Sequence, residues 1–410
     1  MKIIIGYLIV IDLKEINNQT YIVGGAVRDE IMGITPNDID YCVALNQSDF
    51  ESFYPDFERV GNAFPVYLVN GNEVALTRTE RSTGSGYQDF EFDDGVSIEA
   101  DLGRRDFTIN SIAKCLTTNK IVDPFNGRED IENKIVRTIN KSAFRDDPLR
   151  IIRGARFAAR FNFQIDKLTK MLMRLSSSGI VNIKKERIVL ELEKVWKQCE
   201  KPSLFFEALA DVGALKYIIK PLDDLRYVTA GPKEYHHGHS AFEHTMEVID
   251  RAKSKNAPFL VFIAAILHDA GKGTTDPELL PHHYKHELRS CDIATEFLNN
   301  HKFNAKITKT VPLLVKMHMR VFHLEKMRDI KLVRLYLRMK HIWREYFDLV
   351  DSDHPLSDEK VMIMFNLYNL RLYKLSEEEQ AKIKTVKNKK QYFEQIMSEE
   401  YRLKYENIYR

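Results

Sequence analysis

The sequence predicts an α/β head followed by a long all-α remainder that carries a second, chemically different site. Three observations predict it. Between residues 20 and about 140, short β-rich runs at Val66–Val69, 73–77 and 97–100 alternate with helical segments. From about residue 145 the strand signals vanish and helical periodicity takes over. All 13 histidines lie at or beyond His236, so the α/β part has none. Carboxylates suit magnesium and imidazoles suit transition metals, and the split therefore points to two sites of different metal chemistry.

The first apolar strand, Tyr21-Ile22-Val23, runs into Gly24-Gly25 and then a helix carrying Arg28. The first amides of such a helix, at Gly25 and beside Arg28, can hold a phosphate. A second short strand follows with Asp38 and Asp40 two residues apart, a spacing that puts both carboxylates on one face. Together they can grip two hard cations, one lowering the pKa of an attacking hydroxyl and the other neutralising a leaving pyrophosphate. Alone, Asp-x-Asp is more often a solvated turn; the glycine element just upstream makes it informative.

Further on, Arg104-Arg105-Asp106 places two cations and a carboxylate just before an apolar helix, and residues 123–130 read as a turn packing the end of the same domain. At about 100° per residue, Arg150, Arg153, Arg156 and Arg160 share one polar face, opposite Ile151, Ile152, Ala155, Ala158 and Ala159. The ordinary reading is an amphipathic helix with a basic outside. No acidic residue answers these arginines at i+3 or i+4, so an anion such as a triphosphate is expected there.

With these motifs the chain resembles the class II tRNA nucleotidyltransferases, the CCA-adding enzymes of the polymerase-beta-like superfamily, from Gly24 to about Arg187. Within that family it looks most like the bacterial multifunctional form. The resemblance implies a polymerase-beta-like nucleotidyltransferase head with Asp38 and Asp40 as the catalytic, Mg2+-binding pair. It implies that Arg153 and Arg156 bind nucleotide phosphates with Gly25, Arg28 and Arg105, and that Asp106 and its neighbours hold the sugar. The implied partners are tRNA, ATP and CTP.

In the family a Glu-Asp-x-x-Arg motif pairs with the incoming base. Here it reads Asp146-Asp147-Pro148-Leu149-Arg150, with Asp in place of the first Glu. A carboxylate only accepts and a guanidinium only donates. Cytosine and adenine each offer an amino donor beside a ring acceptor, whereas guanine and uracil reverse that order and leave both groups unpaired. Asp147 also reads as an N-cap for the arginine helix. Bacterial poly(A) polymerases share most of these motifs, but Val60-Gly61-Asn62-Ala63-Phe64-Pro65-Val66 has the CCA-type form. A Gly/Ser-rich loop over residues 77–87 resembles that of enzymes adding all three nucleotides, against partial CC- or A-adding forms.

The second site begins at His244 and continues with His268-Asp269 after an apolar helix, the spacing of HD-type phosphohydrolases. His282, His283 and His286 follow, and the closing acid is expected near Asp351 and Asp353, of which Asp353 matches better. His318 is a further candidate neighbour of the metal. The resemblance implies 2′,3′-cyclic phosphodiesterase, 2′-nucleotidase or phosphatase activity with a divalent transition metal, Ni2+ or Mn2+.

Composition fits this reading. With 410 residues, 44% of them hydrophobic, the chain can bury more than one core. Its 61 basic and 59 acidic residues nearly cancel, so RNA binding has to come from local patches. Four scattered cysteines read as thiols of a reducing, cytoplasmic interior. The apolar run 3–11 is too short to span a bilayer and lacks a signal-peptide cleavage site. The expected organisation is an N-terminal extension (1–20), a head (21–145), a helical neck and body (146–235), an HD domain (236–355) and a charged helical tail (356–410). A monomer and a homodimer are both compatible with it. A tRNA-binding protein without catalysis is disfavoured, because every charged catalytic position is present.

Overall fold

The structure is a computed structural model that describes residues 19–60, 65–82, 90–236 and 239–405. It divides into two compact units, one ending at Ile183 and joined by Asp211–Ala214, the other comprising Lys184–Ala210 and Leu215–Arg410. The boundary falls inside the segment expected as neck and body.

The first unit is built on a seven-stranded sheet ordered Glu58–Arg59, Val66–Val69, Asn72–Leu76, Asp40–Val43, Thr20–Val23, Ala113–Cys115 and Ile121–Val122. Only the Asp40–Val43 and Asn72–Leu76 pair is parallel. Strand residues alternate between faces. Tyr41 and Val43 therefore enter one apolar cluster with Phe50, Tyr67 and Leu76, and Cys42 enters the other with Val23, Ile98, Leu102 and Ala113.

Two strand expectations change. Residues 97–100 are not a strand: the Ser97 hydroxyl accepts from Ala100 N at 3.3 Å and caps the helix Ile98–Gly103, whose first turn carries Glu99 and Asp101. That is N-cap chemistry, and it overrides a short β-rich run. The expected loop at 77–87 begins instead as a strand, since Arg78–Ser82 pairs antiparallel with Phe90–Asp94. Residues 83–89 and 61–64, and hence the second part of that loop and the centre of the Val60–Val66 motif, lie outside the described residues. So do residues 1–18. A two-residue strand, Gln164–Ile165, also persists in the helical part, parallel to Ile135–Val136.

The arginine helix forms as Leu149–Phe161 and ends at Asn162, which takes the left-handed conformation. Gly154 lets it approach the head: a Cβ there would stand 2.8 Å from the Phe107 ring.

In the second unit the described residues are almost entirely helical. Phe259–Leu267 is apolar on every side and all but its first residue is buried. It packs against Ala241–Ser254, Ala305–Met317 and Trp343–Asp353, and His268-Asp269 emerges at its C-terminal end. The charged tail is a packed element rather than a solvated one throughout. Its last helix, Lys389–Tyr405, buries Ile396, Met397 and Tyr401, and Glu394 pairs with Arg334 at 2.7 Å. Among the described residues no helix is long and apolar enough to cross a membrane.

Alanine normally favours a helix interior over glycine by about 1 kcal/mol. Gly154→Ala is nevertheless expected to destabilise the first unit by roughly 1–3 kcal/mol through overpacking against Phe107. Urea denaturation decides it; a higher midpoint would remove the packing argument.

Candidate active sites

In the head, sheet register assembles the first site. Val23 lies opposite Asp40 in the antiparallel pairing, so the turn after Val23 and the first carboxylate share one end of the two strands. Gly24 makes that turn at φ +68°, and a Cβ on it would stand 2.7 Å from Arg105 Nη1. The left-handed φ is what favours glycine there, since the Arg105 guanidinium ends a flexible side chain that can shift. Gly25 then opens the helix Gly25–Ile31.

Asp40 is the first residue of its strand, whereas Asp38 lies in the approach to it and its carboxylate accepts from Ile39 N at 3.0 Å. Strand pairing therefore fixes the face of Asp40 alone, since the paired strand starts opposite Val23. The two still share a field. Crowding by protein atoms, then the Asp38 carboxylate, raise the Asp40 carboxyl above its ordinary value, and Arg105 opposes them. Glu73 adds to the same field from the neighbouring parallel strand, where Tyr41 pairs with Val74. The sequence reading missed Glu73; only the parallel register reveals it. A carboxylate raised by neighbouring carboxylates, among donors that offer only oxygen, fits a hard cation such as Mg2+.

Behind them lies a network of buried charge. Asp101, fully buried, accepts from Arg104 Nη2 at 2.8 Å and Arg105 Nη2 at 3.1 Å. Asp106 accepts from Arg153 Nη2 at 2.7 Å and Asn110 Nδ2 at 3.0 Å. Burial alone would raise the Asp106 carboxyl, but Arg153 and Asn110 outweigh it and hold it down to about 2. Arg150 Nη2 donates to the Arg104 carbonyl at 2.8 Å, while Asp147 accepts from Leu149 N at 3.1 Å; the N-cap position itself is Pro148, not Asp147.

Two expectations about the arginines are corrected. They are not left to an anion alone, because carboxylates distant in sequence answer two of them: Asp106 takes Arg153, and Asp29 takes Arg160 at 3.3 Å. Nor do all four share a solvated face, since Arg156 is buried with its guanidinium 4.4 Å from the Phe157 ring centroid. Arg28 is buried as well, paired with Asp29 at 2.6 Å, donating to Asn110 and stacked 4.7 Å from the Phe161 centroid. In this structure it ties the glycine helix to the arginine helix.

The second site is a buried cluster of imidazole and carboxylate. His244 Nε2 meets Asp353 Oδ1 at 2.8 Å, and His268 Nε2 lies 3.2 Å from Asp269 Oδ2 and 3.5 Å from Asp353 Oδ1. Of the two candidate acids, Asp353 and not Asp351 reaches the cluster. Asp351 turns away to Lys255 at 2.5 Å. Two further histidines join, His286 at 3.1 Å and His318 at 3.9 Å from Asp269 Oδ1. Burial would lower the His268 imidazole, but Asp269 and Asp353 raise it to about 10; burial and then the His268 charge push His318 down to about 4.

His268 Nε2 and Asp269 Oδ2 are buried without a partner in hydrogen-bond geometry. Lys272 Nζ is only 2.8 Å from that oxygen, but it is off the direction of a hydrogen bond. Buried donor atoms left in this way, among imidazoles and carboxylates, fit a divalent transition metal. His237 lies outside the described residues. A cavity of about 450 Å³ opens beside it, lined in part by Lys272, Tyr284, Phe322 and His354.

Comparison with known proteins agrees with both geometries. The poly A polymerase head domain matches residues 20–137, the probable RNA and SrmB-binding site of polymerase A matches 162–225, and the HD domain matches 241–356. The multifunctional CCA protein of Actinobacillus pleuropneumoniae is 36% identical over 340 residues, covering 80% of this chain and 81% of its own. That of Herminiimonas arsenicoxydans is 41% identical over 285 residues, covering 67% and 66%. The chain belongs to the multifunctional CCA protein family. It is thus a nucleotidyltransferase with a polymerase-beta-like head and an HD domain. Among solved structures, an apo CCA-adding enzyme superposes with a TM-score of 0.68 at 21% identity, covering 95% of this chain and 89% of that one. The Thermotoga maritima CCA-adding enzyme complexed with tRNA superposes with a TM-score of 0.65 at 21% identity, covering 95% and 88%.

The low pKa of Asp106 has a stability consequence. Its folded value is depressed, so its contribution is present above the ordinary carboxylate range and lost as pH falls from about 4 to about 2. The contribution is about 2 kcal/mol. Asp106→Asn should remove that part of the acid limb of the stability curve, and urea titrations at pH 6 and pH 2.5 measure it. An unchanged difference between the two pH values would show that Asp106 does not carry it.

Proposed function

We propose that this multifunctional CCA family member adds C, C and A to the 3′ end of tRNA from CTP and ATP without a nucleic-acid template. We further propose that its HD unit hydrolyses phosphate esters at RNA ends. The observation that carries the first reading is the direct tie between Arg150 and the Arg104 carbonyl beside the carboxylate pair. A base-reading helix and a metal-binding sheet edge then belong to one rigid site.

In this reading Asp38 and Asp40 hold the Mg2+ ions, which activate the primer hydroxyl and neutralise the leaving pyrophosphate when bound. Glu73 supports the same field from the neighbouring strand. Arg105 and Arg153, each oriented by a buried aspartate, face the triphosphate. Arg150 has five N–H donors and spends part of them on backbone carbonyls, which fixes its plane for reading the ring acceptor of C or A. Asp147 has lone pairs enough for both the Leu149 amide and an amino group of the base. For the HD unit, His244, His268, Asp269 and Asp353 hold a divalent ion, Ni2+ or Mn2+, whose chemistry is to activate water against a phosphate ester. The names of the relatives favour CCA addition over poly(A) synthesis, and the intact carboxylates favour catalysis over tRNA binding alone.

Asp40→Ala should lower nucleotide addition to tRNA lacking its CCA end by roughly 10³-fold or more while the protein still binds tRNA. Retention of most of the parental rate with magnesium would refute the metal assignment. Incorporation of C and then A from single labelled nucleotides, stopping after three residues, distinguishes full CCA addition from poly(A) or partial addition.

Arg150→Ala should weaken discrimination against U and G by roughly 1–3 kcal/mol, the cost of an unpaired buried polar group. Competition between nucleotides reads it, and an unchanged preference removes Arg150 from base selection. Replacing both His268 and Asp269 by Ala should abolish hydrolysis of a 2′,3′-cyclic phosphate and leave CCA addition near its parental rate. Persistent hydrolysis in that variant would sink the HD assignment.

A further inference from the structure

We infer that Tyr284, stacked on His282, is a platform for a nucleobase at the mouth of the HD cavity. The inference rests on the reading of the HD unit as a hydrolase of phosphate esters at RNA ends, and it deepens that reading. It assigns the part of the site that holds the terminal nucleoside. Tyr284 is 64% exposed, yet it lines the same cavity as His244, Asp269 and Asp353. Its ring centroid lies 5.7 Å from that of His282 at an interplanar angle of 23°, a stacked pair. His282 is exposed as well and lines the same cavity. Rings so exposed stabilise the core little.

The rings are exposed, but the chain beneath them is fixed. Between them His283 turns inward and is buried. Its Nε2 donates to the Thr229 carbonyl at 2.9 Å, and its Nδ1 accepts from the Thr275 hydroxyl at 2.8 Å. A carbonyl only accepts, which sets that assignment of the ring proton. His282 N donates to the Leu279 carbonyl at 2.8 Å, and Arg289 Nη1 donates to the Tyr284 carbonyl at 2.7 Å. The backbone on both sides of the platform is therefore anchored. Tyrosine has only two side-chain torsions to freeze, so a base laid on it costs little ordering.

Position and chemistry select the occupant. Tyr284 precedes His286 by two residues, so their Cα atoms are at most about 7 Å apart. His286 Nε2 in turn lies 3.1 Å from Asp269 Oδ1 in the buried cluster. A phosphate at the cluster therefore leaves the base of its own nucleotide within reach of the platform. Met319 and Phe322 add a second apolar wall, and the cavity volume of about 450 Å³ suits a small ligand. Every base has a π-face, so stacking accepts A, C, G and U alike. A hydrolase of RNA ends needs that tolerance, in contrast to the base selection proposed for Arg150.

The test uses the full-length chain and two substrates, 2′,3′-cyclic AMP and glycerol 1,2-cyclic phosphate, which has no base. Tyr284→Ala should raise KM for the nucleotide by roughly 5- to 150-fold, the loss of one base–aromatic stack, with kcat nearly unchanged. The base-free ester should keep its parental kcat/KM, and Tyr284→Phe should restore the KM for the nucleotide. Equal losses on both substrates, or no loss on either, overturn the inference. A second measurement does not depend on hydrolysis. In Tyr284→Trp the indole on the platform should lose emission, relative to the parental chain, as adenosine 2′-monophosphate is added. Glycerol 2-phosphate should leave that emission unchanged. Absence of quenching by the nucleotide overturns the inference, whether or not the esters are hydrolysed. Quenching without hydrolysis of either ester refutes the proposed hydrolase activity and leaves the platform standing.

Discussion

The antiparallel register that sets Val23 against Asp40 is the constraint on which the head depends. It brings the turn at Gly24 and the start of the carboxylate strand to the same end of the sheet. Because Gly24 has no side chain, Arg105 can pass within contact of that turn and reach toward the carboxylates. A shift of one residue would send every side chain of Asp40–Val43 to the opposite face, moving Tyr41 and Val43 out of their core as well as Asp40 out of the site. The same pairing therefore fixes packing and chemistry.

Charge is the second organising element, and around the first site arginines are paired with buried aspartates. Asp101 fixes Arg104 and Arg105, Asp106 fixes Arg153, and Asp29 fixes Arg28 and Arg160. Each aspartate loses hydration on burial and is offset by more than one donor, the condition under which a buried carboxylate stays ionised. The arginines are thereby held in place before any nucleotide arrives. Such preorganisation is what an electrostatic site for a polyanion needs, because little reorganisation remains for the binding step. The HD cluster uses the opposite device. There the ligand atoms are oriented by backbone carbonyls, and two of them, on His268 and Asp269, are left without hydrogen-bonded partners.

Much of this was legible in the chain itself. The glycine turn, the Asp-x-Asp pair, the arginine helix and the His-Asp doublet are local patterns, and local chemistry determines them. The apolar helix before His268 is hydrophobic on every side, which only a buried position explains. The exclusion of histidine from the head likewise separated the two sites before any fold was known. Where local reading failed, a competing local signal had won. Ser97 with Glu99 and Asp101 made a capped helix of a segment that looked like a strand, and residues 78–82 found a strand partner twelve residues on.

What the sequence by itself determined is therefore the fold class, the two-site organisation and the residues of each motif, since these follow from periodicity, capping and side-chain chemistry along the chain. Only the tertiary structure decided which groups meet. Glu73 adds to the field at Asp40 because two strands pair in parallel, and Asp106 neutralises Arg153 across 47 positions. Arg28 became a buried strut through Asp29, Asn110 and Phe161, and Asp353 was chosen over Asp351 by the direction in which its helix ends. His286 and His318, 32 positions apart, meet at 3.3 Å beside the same oxygen of Asp269. Such encounters depend on register and on the packing of distant helices, and no spacing along the chain encodes them.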